Sequence, residues 1–129
     1  MPVRSLHSSV LRWPGKRTVD QAVRVWAERL VCENPQILGI AYFGSYARGD
    51  WGVGSDLDVI IIVAATDRPF EERGRDFDAG ALPVPADVLV YTLEEWRSLS
   101  RENPFFRRLE REAVWIYGSP ETIPMPGSN

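Results

Sequence analysis

Two apolar runs, joined by a glycine-rich connection that ends in paired acids, constrain this chain more than anything else in it. The runs are Ile37-Leu38-Gly39-Ile40-Ala41-Tyr42-Phe43 and Val59-Ile60-Ile61-Ile62-Val63, and between them lies Gly44-Ser45-Tyr46-Ala47-Arg48-Gly49-Asp50-Trp51-Gly52-Val53-Gly54-Ser55-Asp56-Leu57-Asp58. Short apolar runs bounded by turn residues predict strands over 37–43 and 57–63. The second stays apolar after Asp58 without alternation, the pattern of a central strand covered on both faces. Asp56 and Asp58 are two residues apart, so on a strand they project to the same side. Two like charges side by side repel unless a cation lies between them, and hard carboxylate oxygens suit Mg²⁺. A turn of small residues with free backbone N–H groups suits a phosphate. A Ser-Asp-x-Asp at a strand start also suits a plain turn or cap. The decision falls to the rest of the chain.

A third carboxylate weighs on the side of chemistry. Asp87-Val88-Leu89-Val90-Tyr91 predicts another strand, and it too begins with an acid. Three carboxylates converging from neighbouring strands can hold two divalent ions, which stabilise both the attacking and the leaving oxygen of an in-line displacement at phosphorus. In that scheme Asp56 and Asp58 bind both ions, while Asp87 binds one and takes the proton of an attacking hydroxyl. Ser45 and the Gly44 backbone hold terminal phosphates.

The remaining elements supply a body for such a site. Thr18-Val19-Asp20-Gln21 reads as a capping box opening a helix, with Val19, Ala22, Val23, Trp26, Leu30 and Val31 at helical spacing and Asn34-Pro35 as the stop. Trp26 and Cys32 read as packing residues. Tyr46, Ala47 and Arg48 suit one helical turn before Gly52 and Gly54. Residues 64–84 read as mostly connection, with a short helix around Phe70–Phe77 weakened by Gly74. Thr92-Leu93-Glu94-Glu95 is a second capping box, and Asn103-Pro104 starts a last helix through Arg111 that buries Phe106, Leu109 and Ala113. Arg107, Arg108 and Arg111 fall to its exposed face, and Val114–Tyr117 suits an edge strand.

At 129 residues the chain has room for one core. We expect an arm over 1–17, a body over 18–118 and a loose tail over 119–129. Arg4, Arg12, Lys16 and Arg17 make the arm basic, and its residues Val10, Leu11 and Trp13 are able to dock on the body. A formal charge of −3 argues against general attraction to nucleic acid. Cys32 as the single cysteine excludes an intrachain disulfide, and His7 as the single histidine excludes a metal site built from clustered histidines. No apolar stretch is long enough to span a bilayer, so the expected location is cytoplasmic.

Gly44-Ser45, ten intervening residues and then Asp56-Leu57-Asp58 resembles the signature of the DNA polymerase beta-like nucleotidyltransferases. The short chain, the Gly-Ser-x-Ala-Arg-Gly wording and Asp87 are similar to the minimal nucleotidyltransferase (MNT) branch, over roughly residues 20–118. The resemblance implies an α/β (α+β) fold, a small mixed sheet with helices packed mainly on one face. It implies Mg²⁺-dependent transfer of a nucleoside monophosphate, AMP from ATP, to an acceptor hydroxyl with release of pyrophosphate. It also implies a helical HEPN toxin as partner, with the MNT as antitoxin. Arg48 matches an arginine of the family wording that can steady a phosphate; an ion pair with Asp50 is the plainer use. Tyr46 and Trp51 flank the turn, where packing is favoured over stacking on a base. Two other functions remain in competition: an antitoxin that neutralises its partner by contact alone, and a nucleotidyltransferase acting on a small hydroxylated drug, for which so short a chain has little room.

Overall fold

A computed structural model describes residues 13–99, 102–119 and 122–123 of the chain. The first helix, α1, runs Lys16–Glu33 and buries Val19, Val23, Trp26, Ala27 and Leu30, the stripe that helical spacing requires. It starts earlier than the expected box at Thr18. Gly15 in extended backbone is the N-cap, without a side-chain cap bond. Within the first turns Asp20 accepts from Arg24 Nε at 2.7 Å and from the Tyr42 hydroxyl at 2.7 Å. At the other end Asn34 donates to the Leu30 carbonyl through both backbone and side chain.

Strand β1 (Ile37–Phe43), the single turn α2 (Ser45–Arg48) and strand β2 (Leu57–Val63) follow, as the apolar runs predict. The crossover that comes next holds a turn of helix, α3 (Phe70–Arg73), and a 3₁₀ turn at Gly74–Asp76. Strand β3 is Ala86–Thr92, helix α4 is Leu93–Ser98, helix α5 is Pro104–Glu112, and strand β4 is Val114–Tyr117. Both helix starts read from the sequence are present: Thr92 and Glu95 form a reciprocal capping box, and the Asn103 side chain accepts from the Phe105 N–H with Pro104 at the first position.

The strands form one sheet in the order β3-β2-β1-β4. β1 pairs antiparallel with β2 and with β4, and β2 pairs parallel with β3, so the sheet is mixed. Alternation along the strands divides the core. Ile40, Tyr42, Val59, Ile61 and Val63 face α1, together with Phe77, Leu82 and Val84 of the crossover. Ala41, Phe43, Ile60 and Ile62 face the opposite way, against Trp96 of α4 and Leu109 of α5. Helices therefore cover both faces instead of mainly one. The reason is the continuous apolarity of β2, which leaves no face suited to water.

Three details revise the sequence reading. The crossover is pinned, since Arg73, 7% exposed, donates to the carbonyls of Arg68 and Val90 and makes a two-bonded pair with Glu95. Cys32 is exposed and not part of the core, because it falls outside the buried stripe of α1. Ile123, expected in the tail, is 2% exposed in the α4–α5 core layer, where it sits against Gly39 so closely that a Cβ there would approach its Cδ1 to 2.2 Å. Trp13 packs on the α1 layer. The rest of the expected arm and tail, residues 1–12, 120–121 and 124–129, lies outside the described residues. Among those described, no helix is long and apolar enough to cross a membrane.

Candidate active site

The site is built where β1 ends and β2 begins. After Phe43 the chain bends at Gly44, whose φ of +85° disfavours any residue with a Cβ. The bend closes into α2, with Arg48 N–H on the Gly44 carbonyl at 2.9 Å and Gly49 N–H on that of Ser45 at 2.9 Å. Ser55 Oγ then accepts from the Gly52 N–H at 2.7 Å, closing the loop that delivers Asp56 and β2. Leu57 N–H is held by the Pro85 carbonyl at 2.8 Å, which fixes the start of β2 against the start of β3.

That anchoring sets a row across the sheet. Asp58 is the register partner of Phe43 on one side and of Asp87 on the other. Asp58 alternates with the inward residues of the α1 layer and so lies on the α4–α5 side, as does Asp87, two residues before Leu89. Phe43, Asp58, Asp87, Phe105 and Arg108 border a groove of about 370 Å³. Asp87 also borders a hollow of about 600 Å³ along the outer edge of β3, next to Arg75 and Phe77.

Burial pushes the Asp58 carboxyl above the usual carboxylate range; nearby Arg108 opposes this, and the charges of Asp87, Asp56 and Glu112 add to it. Asp58 is thus an acid inside a field of acids. Asp56 itself is exposed and contributes to this field from the residue just ahead of β2. Among the described residues no three His, Cys, Asp or Glu side chains come together closely enough to hold a metal ion. The chemistry of the donors is nonetheless that which a hard divalent ion takes: carboxylate oxygens only, with the charges of Asp87, Asp56 and Glu112 each raising the cost of ionising Asp58.

The phosphate side differs from expectation. The Gly44 N–H is engaged by Glu112 Oε1 at 3.0 Å, and Arg48 Nη1 reaches the same carboxylate at 3.1 Å while its Nε pairs with Asp50 at 3.0 Å. Arg108 Nε is 2.9 Å from that same Oε1. Burial would raise the Glu112 carboxyl, but the bonds from Arg108, Arg48 and Gly44 outweigh it and hold it below its ordinary range. Ser45 is half-buried at the head of α2.

Gly44, Ser45, Asp58 and Asp87 are therefore brought together, with Asp56 at the edge and Arg48 tied into ion pairs. Arg108 and Glu112 belong to the site and were missed. Arg108 keeps 43% of its side chain exposed, as the helix face predicts, but its guanidinium also leans 5.4 Å over the Phe43 ring. The available signal was helical spacing, since Phe105, Arg108, Leu109 and Glu112 fall on one stripe. Tyr46 is fully buried, donates to the Pro14 carbonyl and stacks on Trp51 with ring centroids 5.7 Å apart. Packing, not base stacking, is its use.

The nucleotidyltransferase domain model matches residues 26–115, which takes in the whole row of acids and the Gly-Ser bend. The chain belongs to the nucleotidyltransferase domain family. No curated protein matches it in sequence. Among solved structures, this nucleotidyltransferase is similar to a chain of a toxin–antitoxin complex with AMP-PNP (22% identity, 76% of this chain and 75% of that one, TM-score 0.54). It is also similar to a Sulfolobus solfataricus protein assigned as a nucleotidyltransferase (16% identity, 84% and 87% covered, TM-score 0.56). A third is a chain of the tri-AMPylated Shewanella oneidensis HEPN toxin in complex with MNT antitoxin (21% identity, 78% and 74% covered, TM-score 0.51). At these identities the likeness is one of fold.

Proposed function

We propose that this nucleotidyltransferase moves AMP from ATP to a hydroxyl on a HEPN-type helical protein and so acts as its antitoxin in the cytoplasm. The observation that carries the reading is the in-register pair Asp58 and Asp87 beside the Gly44 bend. The fold it shares with chains of MNT–HEPN complexes supports the choice of partner.

In the reaction an acceptor oxygen forms a bond to the α-phosphorus and the bond to the bridging oxygen of pyrophosphate breaks. Asp87 accepts the acceptor's proton. Hollows on either side of Asp87 give nucleotide and acceptor separate approaches. Asp56, Asp58 and Asp87 would hold Mg²⁺, which when bound offsets the charge gathering on the phosphate oxygens. Ser45 and the Gly44 N–H orient the terminal phosphates, and Arg48 adds charge there.

The test is incubation with labelled ATP, Mg²⁺ and a co-expressed HEPN protein. Label should appear on the partner, require the divalent ion, and vanish in Asp58→Asn. Neutralisation of the partner that persists in Asp56→Asn combined with Asp58→Asn would instead show an antitoxin acting by contact.

A further inference from the structure

The carboxylate of Glu112 is held in a way that surface ion pairs are not. One of its oxygens, Oε1, accepts three bonds, from the Gly44 N–H at 3.0 Å, Arg48 Nη1 at 3.1 Å and Arg108 Nε at 2.9 Å. Its other oxygen lies 3.3 Å from Arg48 Nη1, and the side chain is 10% exposed. Two guanidinium groups and a main-chain amide, converging on one anionic oxygen, are the donors that a phosphate oxygen takes. They come from two separated parts of the chain: the bend and helical turn over 44–48 after β1, and the middle of α5. The acid of β2 lies alongside, since a Cβ on Gly44 would meet Asp58 Oδ2 at 2.3 Å and Arg108 Nη2 at 3.6 Å, and Asp87 of β3 is the register partner of Asp58.

We propose that Glu112 is a built-in stand-in for a nucleotide phosphate: it fills the anion position formed by Gly44, Arg48 and Arg108, and a metal-bound nucleoside triphosphate enters by displacing it. The inference rests on the nucleotidyltransferase reading and adds two residues to it. Arg108 becomes a ligand of the incoming phosphate, and Glu112 an internal competitor that sets how tightly nucleotide binds. The exchange swaps one anion for another at the same donors, so Arg48 and Arg108 stay paired throughout and neither is stranded unpaired beside the groove. A nucleotide lacking the outer phosphates has less to offer these donors than the carboxylate it must evict, so the device favours triphosphate over monophosphate.

The competitor and the ligand carry opposite signs in an experiment. Calorimetric titration with Mg²⁺ and a non-hydrolysable ATP analogue should show Glu112→Gln binding roughly tenfold tighter than wild type and Arg108→Gln at least roughly tenfold weaker. An ordinary structural ion pair gives losses of the same sign from either half. Glu112→Asp separates displacement from a general field effect, since it keeps the charge but is one methylene too short to meet all the donors. It should also bind more tightly than wild type. Equal or weaker binding by Glu112→Gln overturns the proposal, as does a gain in Glu112→Gln that Glu112→Asp does not share. Either result leaves the parent reading intact if labelled AMP still reaches the acceptor. Absence of both nucleotide binding and transfer in wild type and in every variant removes both. Thermal unfolding of each variant, run beside the titrations, identifies any loss that comes from a damaged fold.

Discussion

Asp58 and Asp87 stand directly opposite each other on the parallel strands β2 and β3, on the face covered by α4 and α5. Two carboxylates placed so cannot have been selected for stability, because their mutual repulsion adds to the burial that already disfavours an ionised Asp58. Asp58→Asn should therefore abolish nucleotide transfer, by about a hundredfold or more, without lowering the melting temperature. Circular dichroism melting beside a transfer assay checks both halves. A destabilised Asp58→Asn would contradict this account of the pair.

Gly44→Ala should fail twice over. The backbone there has φ +85°, and a Cβ would meet Asp58 Oδ2 at 2.3 Å. The expected cost is about 1–3 kcal/mol in denaturant unfolding, with transfer lost as Asp58 is pushed aside. Gly49→Ala makes a useful control, since its φ is +91° but nothing lies within 4 Å of its Cβ position. It should cost some stability and leave transfer near wild type.

Trp26 joins α1 to the crossover. It is 2% exposed, and its Nε1–H donates to the Asp78 carbonyl at 2.8 Å. Trp26→Ala should cost about 3–5 kcal/mol by leaving a cavity. Trp26→Phe should cost about 1–2 kcal/mol, from the lost hydrogen bond and the smaller ring. Urea unfolding measures both.

The Arg73–Glu95 pair should give the fold an acid-labile edge. The hydrogen bond from Arg73, with help from the Thr92 backbone, holds the Glu95 carboxyl below its ordinary 4.5. A depressed carboxyl stabilises the fold above the unfolded value, and that contribution fades as pH falls through the folded one. Between about pH 5 and about pH 3, wild type should lose more stability than Glu95→Gln, and above that window the variant should be the weaker of the two. Because Glu95 is 43% exposed, solvent screening keeps the difference modest.

Much of this molecule is written locally. The runs 37–43 and 57–63 are strands at the residues expected, because β-branched apolar chains between turns leave little choice. Thr92 and Asn103 cap their helices because the partner groups lie within three residues. What escaped the sequence depends on residues far apart in the chain. Glu112 meets Gly44 and Arg48 across 68 and 64 positions, and nothing near any of them announces the others. The start of α1 lies ahead of the Thr18 box because Gly15, in extended backbone, already accepts the Val19 N–H at 3.0 Å and supplies the entry. Ile123 likewise sits in a proline-rich stretch that reads as tail until Gly39 is seen to leave room for it.

Ala113 is the single residue between α5 and β4. A helix moored to a strand through so short a link cannot swing out as a lid, and Glu112 is its last turn's last residue. Whatever clears the phosphate donors must then be rotation about side-chain bonds, with the backbone of α5 staying where it is. Loading and emptying the site would then leave the main chain as it is, and the energy to be overcome would be that of the bonds holding one carboxylate.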